Sequence, residues 1–267
     1  MAMRLCAILM LYAAICFAQS SYDWTNSPDK IDPIIKCNIS VKPKSIDYIY
    51  IVNNGSKAQQ PLKSLLIYVE NKNELDMISV SEKDKKDVYW KLASGLHNKE
   101  ATKIIHLSLS DYKYSLKKNS KSPESQINTT SLPTIVDFKA FGLIPTPTIE
   151  DGMELEKKGL QVPKEHFRNL EGKIIAPGFL PKKGDNPAIF LNQLKAQTTE
   201  AIQLGWVIDN KGTDLLSAIE TQLSEYTAKK TYNPKPLREL FDKNKGSMTN
   251  NFDQLIKAYL DYMDLVK

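Results

Sequence analysis

The chain predicts an antiparallel, immunoglobulin-like β-sandwich in its N-terminal part and a small α-helical bundle at its C-terminus. Three observations carry this. From Ile34 to Phe141 apolar residues alternate with polar ones, the period of strands that bury one face. From Asp185 onward they return every third or fourth residue, the period of amphipathic helices. Between the two lies a stretch of scattered glycine and proline with neither period. The organisation expected is a signal segment over 1–18, a sandwich over 19–144, a Pro/Gly-rich linker over 145–185 and a helical bundle over 186–267.

Ile34 to Val41 reads as a first strand. Ile46-Asp-Tyr-Ile-Tyr-Ile-Val52, β-branched and aromatic on both faces, reads as a central one. Asn53-Asn-Gly-Ser56 supplies turn chemistry, since Asn and Gly tolerate positive φ. Leu65 to Val69, Met77 to Val80 and Asp87 to Leu92 give three more strands. Ile104 to Ser110 alternates cleanly, with Leu107 and Leu109 on one face and His106, Ser108 and Ser110 on the other. Lys117 to Ser131, rich in Ser, Asn and Lys, reads as a long exposed loop, and Thr134 to Phe141 closes the sandwich. Many short strands without helical pattern between them favour a sandwich over a parallel sheet. Ile144-Pro-Thr-Pro-Thr148 is a stiff connector, and 149–184 an irregular linker with a short helix near 164–170.

Asp185-Asn186-Pro187 is a helix start, with proline at the first helical position. Phe190, Leu191, Leu194, Ala201 and Ile202 follow at helical spacing, and the stretch from Gly205 to Gly212 breaks that helix. Thr213 then caps a helix carrying Leu215, Leu216, Ile219, Leu223 and Tyr226. Asn233-Pro234 opens a third with Leu237, Leu240 and Phe241. The segment Gly246 to Thr249 ends it and caps a fourth, in which Phe252, Leu255, Ile256, Tyr259, Leu260, Met263 and Val266 form the strongest apolar face in the chain. Stripes of this kind must be covered, which implies an antiparallel bundle.

The N-terminus has the three-part layout of a secretory signal: a basic start at Arg4, an uncharged run from Leu5 to Phe17, and small residues at Cys16 and Ala18 for cleavage. The run is shorter than the roughly 20 residues a membrane-spanning helix needs. The expected product is secreted, extracellular or periplasmic, with no transmembrane segment in the mature chain. Cys37 is then its lone cysteine, expected as a small buried hydrophobe, an intermolecular bridge being the alternative. The formal charge of +5 is carried almost wholly by lysine. Arg168 and Arg238 are the only arginines beyond the signal, which argues against nucleic acid as a partner.

No catalytic motif emerges. The three histidines, His97, His106 and His166, show no zinc-ligand spacing; His97 falls in a loop after Gly95 and His106 on an exposed strand face. Cys37 sits in a packing context rather than an activated one. Asp242 to Asp253 begins like a calcium-binding loop, but its glycine arrives one place early and its last residue is Asp rather than Glu, so a helix-capping loop is the better account. Asn38, Asn54 and Asn128 each stand in an Asn-x-Ser/Thr tripeptide. Tyr48, Tyr50, Tyr68, Tyr89 and Trp90 are expected to fill the core rather than line a carbohydrate-stacking face. Tyr112 and Tyr114, alternating with Lys113, are the tyrosines expected at the surface and the candidates for binding.

Two islands carry a resemblance. Ser131 to Pro147 resembles the last strand and proline-rich exit of β-sandwich domains in uncharacterised secreted bacterial proteins. Ala201-Ile-Gln-Leu-Gly-Trp-Val-Ile-Asp-Asn-Lys-Gly212, with the helices after it, resembles the FIMAH-like helical module that follows in those proteins, although Pro234 and Pro236 fall where such a module continues its helix. The resemblance implies an extracellular, non-catalytic module and brings no catalytic residues. The expectation is therefore a secreted, non-catalytic binding or cell-surface interaction protein, with no cofactor or metal and with a protein or glycan partner at the cell surface. A secreted hydrolase using unidentified carboxylates, or a structural envelope or secretion-accessory component, are the alternatives.

Overall fold

The structure, a computed structural model, describes residues 31–70, 75–80, 88–109, 115–143, 153, 156–159 and 169–265. Ten strands follow in order: β1 (Pro33–Lys42), β2 (Ser45–Asn54), β3 (Leu62–Glu70), β4 (Asp76–Val80), β5 (Val88–His97), β6 (Glu100–Leu109), β7 (Ser120–Lys121), β8 (Ser125–Thr129), β9 (Leu132–Gly142) and β10 (Asn169–Phe179). Four helices complete the chain: α1 (Pro187–Gln203), α2 (Asp209–Lys229), α3 (Lys235–Asn244) and α4 (Asn250–Leu265). One antiparallel sheet has the order β1-β2-β8-β4, with β7 also on β2; the other has the order β10-β9-β3-β6-β5. These elements belong to one compact unit, Lys30–Leu143 with Asn169–Lys267. The other unit, Met1–Asp29 with Ile144–Arg168, lies almost wholly outside the described residues.

β2 is interior, as its composition requires. Tyr48, Tyr50 and Val52 are fully buried on its inward face. A buried tyrosine needs a partner for its hydroxyl. Tyr48 donates to the Ser131 carbonyl at 2.8 Å and Tyr50 to the Ile175 carbonyl of β10 at 3.1 Å, so Tyr50 ties the two sheets together. Trp90 packs near Tyr50 and donates its indole N–H to the Pro123 carbonyl at 3.1 Å. The core-filling role expected for the aromatics holds for Tyr48, Tyr50 and Trp90; Tyr68 is buried outside that core, against His97, and the Tyr89 side chain lies outside the described residues.

At the end of β2 the buried Asn54 holds three segments at once. Its amide donates to the Gln60 and Leu116 carbonyls, each at 2.8 Å, and its carbonyl oxygen accepts from the Asp32 N–H at 2.9 Å.

Two stretches differ from the sequence expectation. The presumed loop from Lys117 to Ser131 contains β7 and β8, and β8 is interior to its sheet. Its inward residues Ser125, Ile127 and Thr129 are buried, but two of the three are polar, so the alternation does not register as apolar. The linker expected over 145–185 contributes β10 across Asn169–Phe179, paired along β9 from Asn169↔Phe141. Gly172 and Gly178 masked that strand. A Cβ at Gly172 would meet the Phe138 ring at 2.6 Å, and one at Gly178 the Thr134 hydroxyl at 1.7 Å, so both glycines admit close side chains from β9. The helix expected near 164–170 lies mostly outside the described residues, and Asn169 and Leu170 begin β10.

The helices start largely where expected. Asn186 caps α1 by accepting from the Ala188 N–H, and Gly205, at φ +68°, ends it. Gly212 does not break a helix: it lies inside α2, where a Cβ would sit 2.4 Å from Ile202 Cγ1, so its bareness lets α2 approach α1. Thr213 is likewise not a cap, since its hydroxyl donates back to the Asp209 carbonyl. α3 and α4 are joined by Arg238, which donates to Asp261 at 3.1 Å and Asp264 at 2.7 Å.

The bundle is not self-contained. α4 packs on α1 but also on β1, β9 and β10, and its face Phe252, Leu255, Ile256, Tyr259, Leu260 and Met263 is continuous with the sandwich core. Backbone polar groups at the border of a sheet require partners. The Asn251 amide donates to the Ile35 carbonyl at 3.3 Å and accepts from the Cys37 N–H at 3.4 Å, while Gln254 accepts from the Ile39 N–H at 3.1 Å. α4 thus stands in for a neighbouring strand along β1. Cys37 lies beneath it, free and buried, with burial pushing its thiol pKa far up despite a hydrogen bond with Tyr50.

Candidate functional site

Asn98 and Lys99 both adopt positive φ, 50° and 70°, between the paired residues His97 and Glu100. That is the two-residue turn favoured in hairpins, and Asn is the residue that tolerates its first position. The turn makes His97 the last residue of β5 rather than part of a loop. The imidazole stacks on Tyr68 of β3, with centroids 4.1 Å apart and planes 16° from parallel. Its Nε2 lies 2.9 Å from Asp137 Oδ2 on β9.

From Asp137 ionic contacts run on to β10 and α1. Lys173 Nζ of β10 lies 3.0 Å from Asp137 Oδ1 and 3.3 Å from Glu200 Oε1 of α1. Burial draws the Asp137 carboxyl upward, but His97 and Lys173 outweigh it and hold the carboxyl below its ordinary pKa. Burial acts to lower Lys173, and Asp137 with Glu200 more than reverses it. Each member is about a third exposed, so each pair alone contributes little, up to roughly 1 kcal/mol. Their effect is to fix positions.

These side chains line a groove of about 690 Å³. Tyr68 and Val69 come from β3, Thr102 from β6, Thr134 to Asp137 from β9, and Gln193 and Gln197 from α1. The groove opens where β3 and β9 part: their pairing ends at Ile67↔Phe138, although β3 runs on to Glu70 and β9 begins at Leu132. Thr102 donates its hydroxyl to the Val69 carbonyl, and Gln197 accepts from the Ile135 N–H at 2.6 Å.

Chemically, the groove holds fixed charges and amides. A lysine between two carboxylates is the group set for amide condensation, which needs a neutral amine. Here the partners hold lysine and aspartate charged, which disfavours that reaction. Among the described residues, no cluster of three or more His, Cys, Asp or Glu is placed to hold a metal ion. The stretch from Asp242 to Asn244 is helical, so the calcium-like spacing after Asp242 does not form a loop there.

Tyr112 and Tyr114, the candidates from sequence, lie outside the described residues, as does His166. His106 is half-buried rather than exposed: its Nε2 shares a 2.9 Å hydrogen bond with the Ser64 hydroxyl, and desolvation together with Lys91 lowers its pKa to about 4. Asn38 is exposed, Asn128 donates to Asp47, and Asn54 is sealed in the core. Sequence reasoning missed Tyr68, His97, Asp137, Lys173 and Gln197 as a group. Only Asn98, as a turn former, signals that His97 ends a strand.

The pKa of His106 sets a pH dependence. Above its ordinary pKa of 6.5 the imidazole is neutral in both folded and unfolded chains. Between 6.5 and about 4 the unfolded chain takes the proton first, so stability falls as pH falls through that window. His106→Gln removes this term. Urea unfolding at pH 7 and pH 4.5 should show the wild type losing about 1 kcal/mol more than the variant, after allowance for solvent screening; equal losses would refute the assignment.

An antiparallel two-sheet sandwich with C-terminal helices is thus the class of structure. No family model matches the chain, and no curated protein does at a significant level. Among solved structures it has a weak likeness to the major pilin SpaA of Corynebacterium diphtheriae: TM-score 0.25, 8% identity, over 44% of this chain and 33% of that one. A second is Astrotactin-2, a vertebrate perforin-like membrane protein: TM-score 0.21, 6% identity, over 86% of this chain and 39% of that one. The chain thus spans well under half the length of either.

Proposed function

We propose that this is a secreted, non-catalytic binding protein acting at a cell surface, with the groove between β3 and β9 as its binding site. One observation carries the proposal: the parted strands leave a groove whose polar and charged groups are held in place by one another, His97 on Asp137 and Lys173 between Asp137 and Glu200. Asp137 and Lys173, held charged and oriented by their partners, suit recognition of a charged ligand. The segment before Gln19 supports export, and among the described residues no helix is long and apolar enough to cross a membrane.

The strand order supports an immunoglobulin-like sandwich. β1-β2-β8-β4 follows the A-B-E-D sheet and β10-β9-β3 the G-F-C sheet, with β6 and β5 extending the latter where the variable type carries two more strands. The departures are that β4 precedes the β5–β6 hairpin in the chain and that the later strand of that hairpin, β6, is the one beside β3.

The test is a glycan array and a surface-extract pull-down using wild type, Lys173→Ala and Asp137→Ala. Capture should change at least tenfold in both variants, falling in Asp137→Ala. Capture unaffected by either substitution, or chemical conversion of the captured molecule, would overturn the proposal.

A further inference from the structure

We infer that the groove takes an extended peptide bearing basic side chains, added as a strand beside β9; this rests on the binding role proposed above. The N–H of Ile135 is taken by Gln197, so it points away from β10, and the backbone groups of Pro133 and Asp137, two residues either way, share that side. Pro133 has no N–H to satisfy. On that side of β9 the Ile135 N–H is thus already supplied, Gln197 from a helix providing the acceptor that a strand carbonyl would provide. An entering strand replaces that amide with its own backbone and can donate to the carbonyls on the same side. The stretch Thr134–Asp137, the part of β9 that lines the groove beyond the last β3 pair, offers roughly 13 Å, at about 3.3 Å per residue, for such pairing.

Two further features select the occupant. Among the described residues, the charged ones lining the groove are Glu100, Asp137 and Lys173, and that lysine is shared with Glu200. The groove is thus acid-biased in a chain of formal charge +5, which favours a basic segment. Tyr68 is 9% exposed and stacked under His97, so no open ring face is presented to a sugar. What the walls present is strand backbone, amides and carboxylates.

The test is fluorescence anisotropy of the full chain with labelled hexapeptides. The probes are an alternating Lys-Val peptide, the matching Glu-Val peptide, and a Lys-Val peptide N-methylated on its pairing side. A labelled chitohexaose is run alongside. The Lys-Val peptide should bind saturably and at least tenfold more tightly than either peptide control. Asp137→Asn and Glu100→Gln should each weaken it at least threefold, with far-UV circular dichroism confirming the fold. Equal binding of the N-methylated peptide would show charge attraction without strand pairing and overturn the inference. Preference for the hexasaccharide, indifference to both substitutions, or no Lys-Val binding would also overturn it. Groove-dependent capture in the earlier experiment without peptide binding removes the added strand alone; loss of both removes the groove as a site.

Discussion

A chain ending after Leu143 is expected not to fold, despite retaining every strand that sequence periodicity identifies. Truncation there removes β10, with Ile174, Ile175 and Ala176 buried, and the acceptor of the Tyr50 hydroxyl. It also removes α4, whose Phe252, Leu255, Ile256, Tyr259, Leu260 and Met263 are at most 2% exposed. Burying one large apolar side chain contributes about 1.5–3 kcal/mol. The lost side chains together exceed the whole net stability of a typical domain, about 5–15 kcal/mol. Urea titration followed by tryptophan fluorescence should give a cooperative transition for the full chain and none for the truncated one. A cooperative transition in the truncated chain would establish an independent sandwich.

Asn54→Ala is expected to cost about 3–4 kcal/mol, the largest effect of any single substitution considered. Three hydrogen bonds disappear, and the Asp32 N–H and the Gln60 and Leu116 carbonyls each lose a partner in a largely dry setting. A buried group left unmatched costs about 1–3 kcal/mol. The Leu116 carbonyl keeps its bond from the Leu62 N–H, which moderates the total. Asn54→Asp retains the acceptor but no donor, and sets a carboxylate against two carbonyls, so it should be no milder. The urea midpoint should drop at unchanged slope; a fall below 1 kcal/mol would show that water replaces the amide.

The strands legible in sequence are those whose inward residues are apolar, such as Ile105, Leu107 and Leu109 on β6. β8 was hidden because Ser125 and Thr129 occupy inward positions, and β10 because its glycines and Pro177 read as linker. Helix faces were legible, but what covers them was not: the apolar stripe of α4 is the same whether it meets another helix or the border of a sheet. The groove was hidden for a similar reason. His97, Asp137 and Lys173 lie on three strands brought together by register, and no spacing along the chain encodes that.

Asn251 and Gln254 carry a consequence for life at high concentration. A sheet that ends in unoccupied peptide groups invites a second molecule to continue it, and repetition of that step builds fibres. Here β1, one outer strand of the first sheet, has its Ile35 carbonyl and its Cys37 and Ile39 N–H groups engaged by a helix of its own chain. A second copy approaching that flank therefore meets side-chain amides instead of an open template.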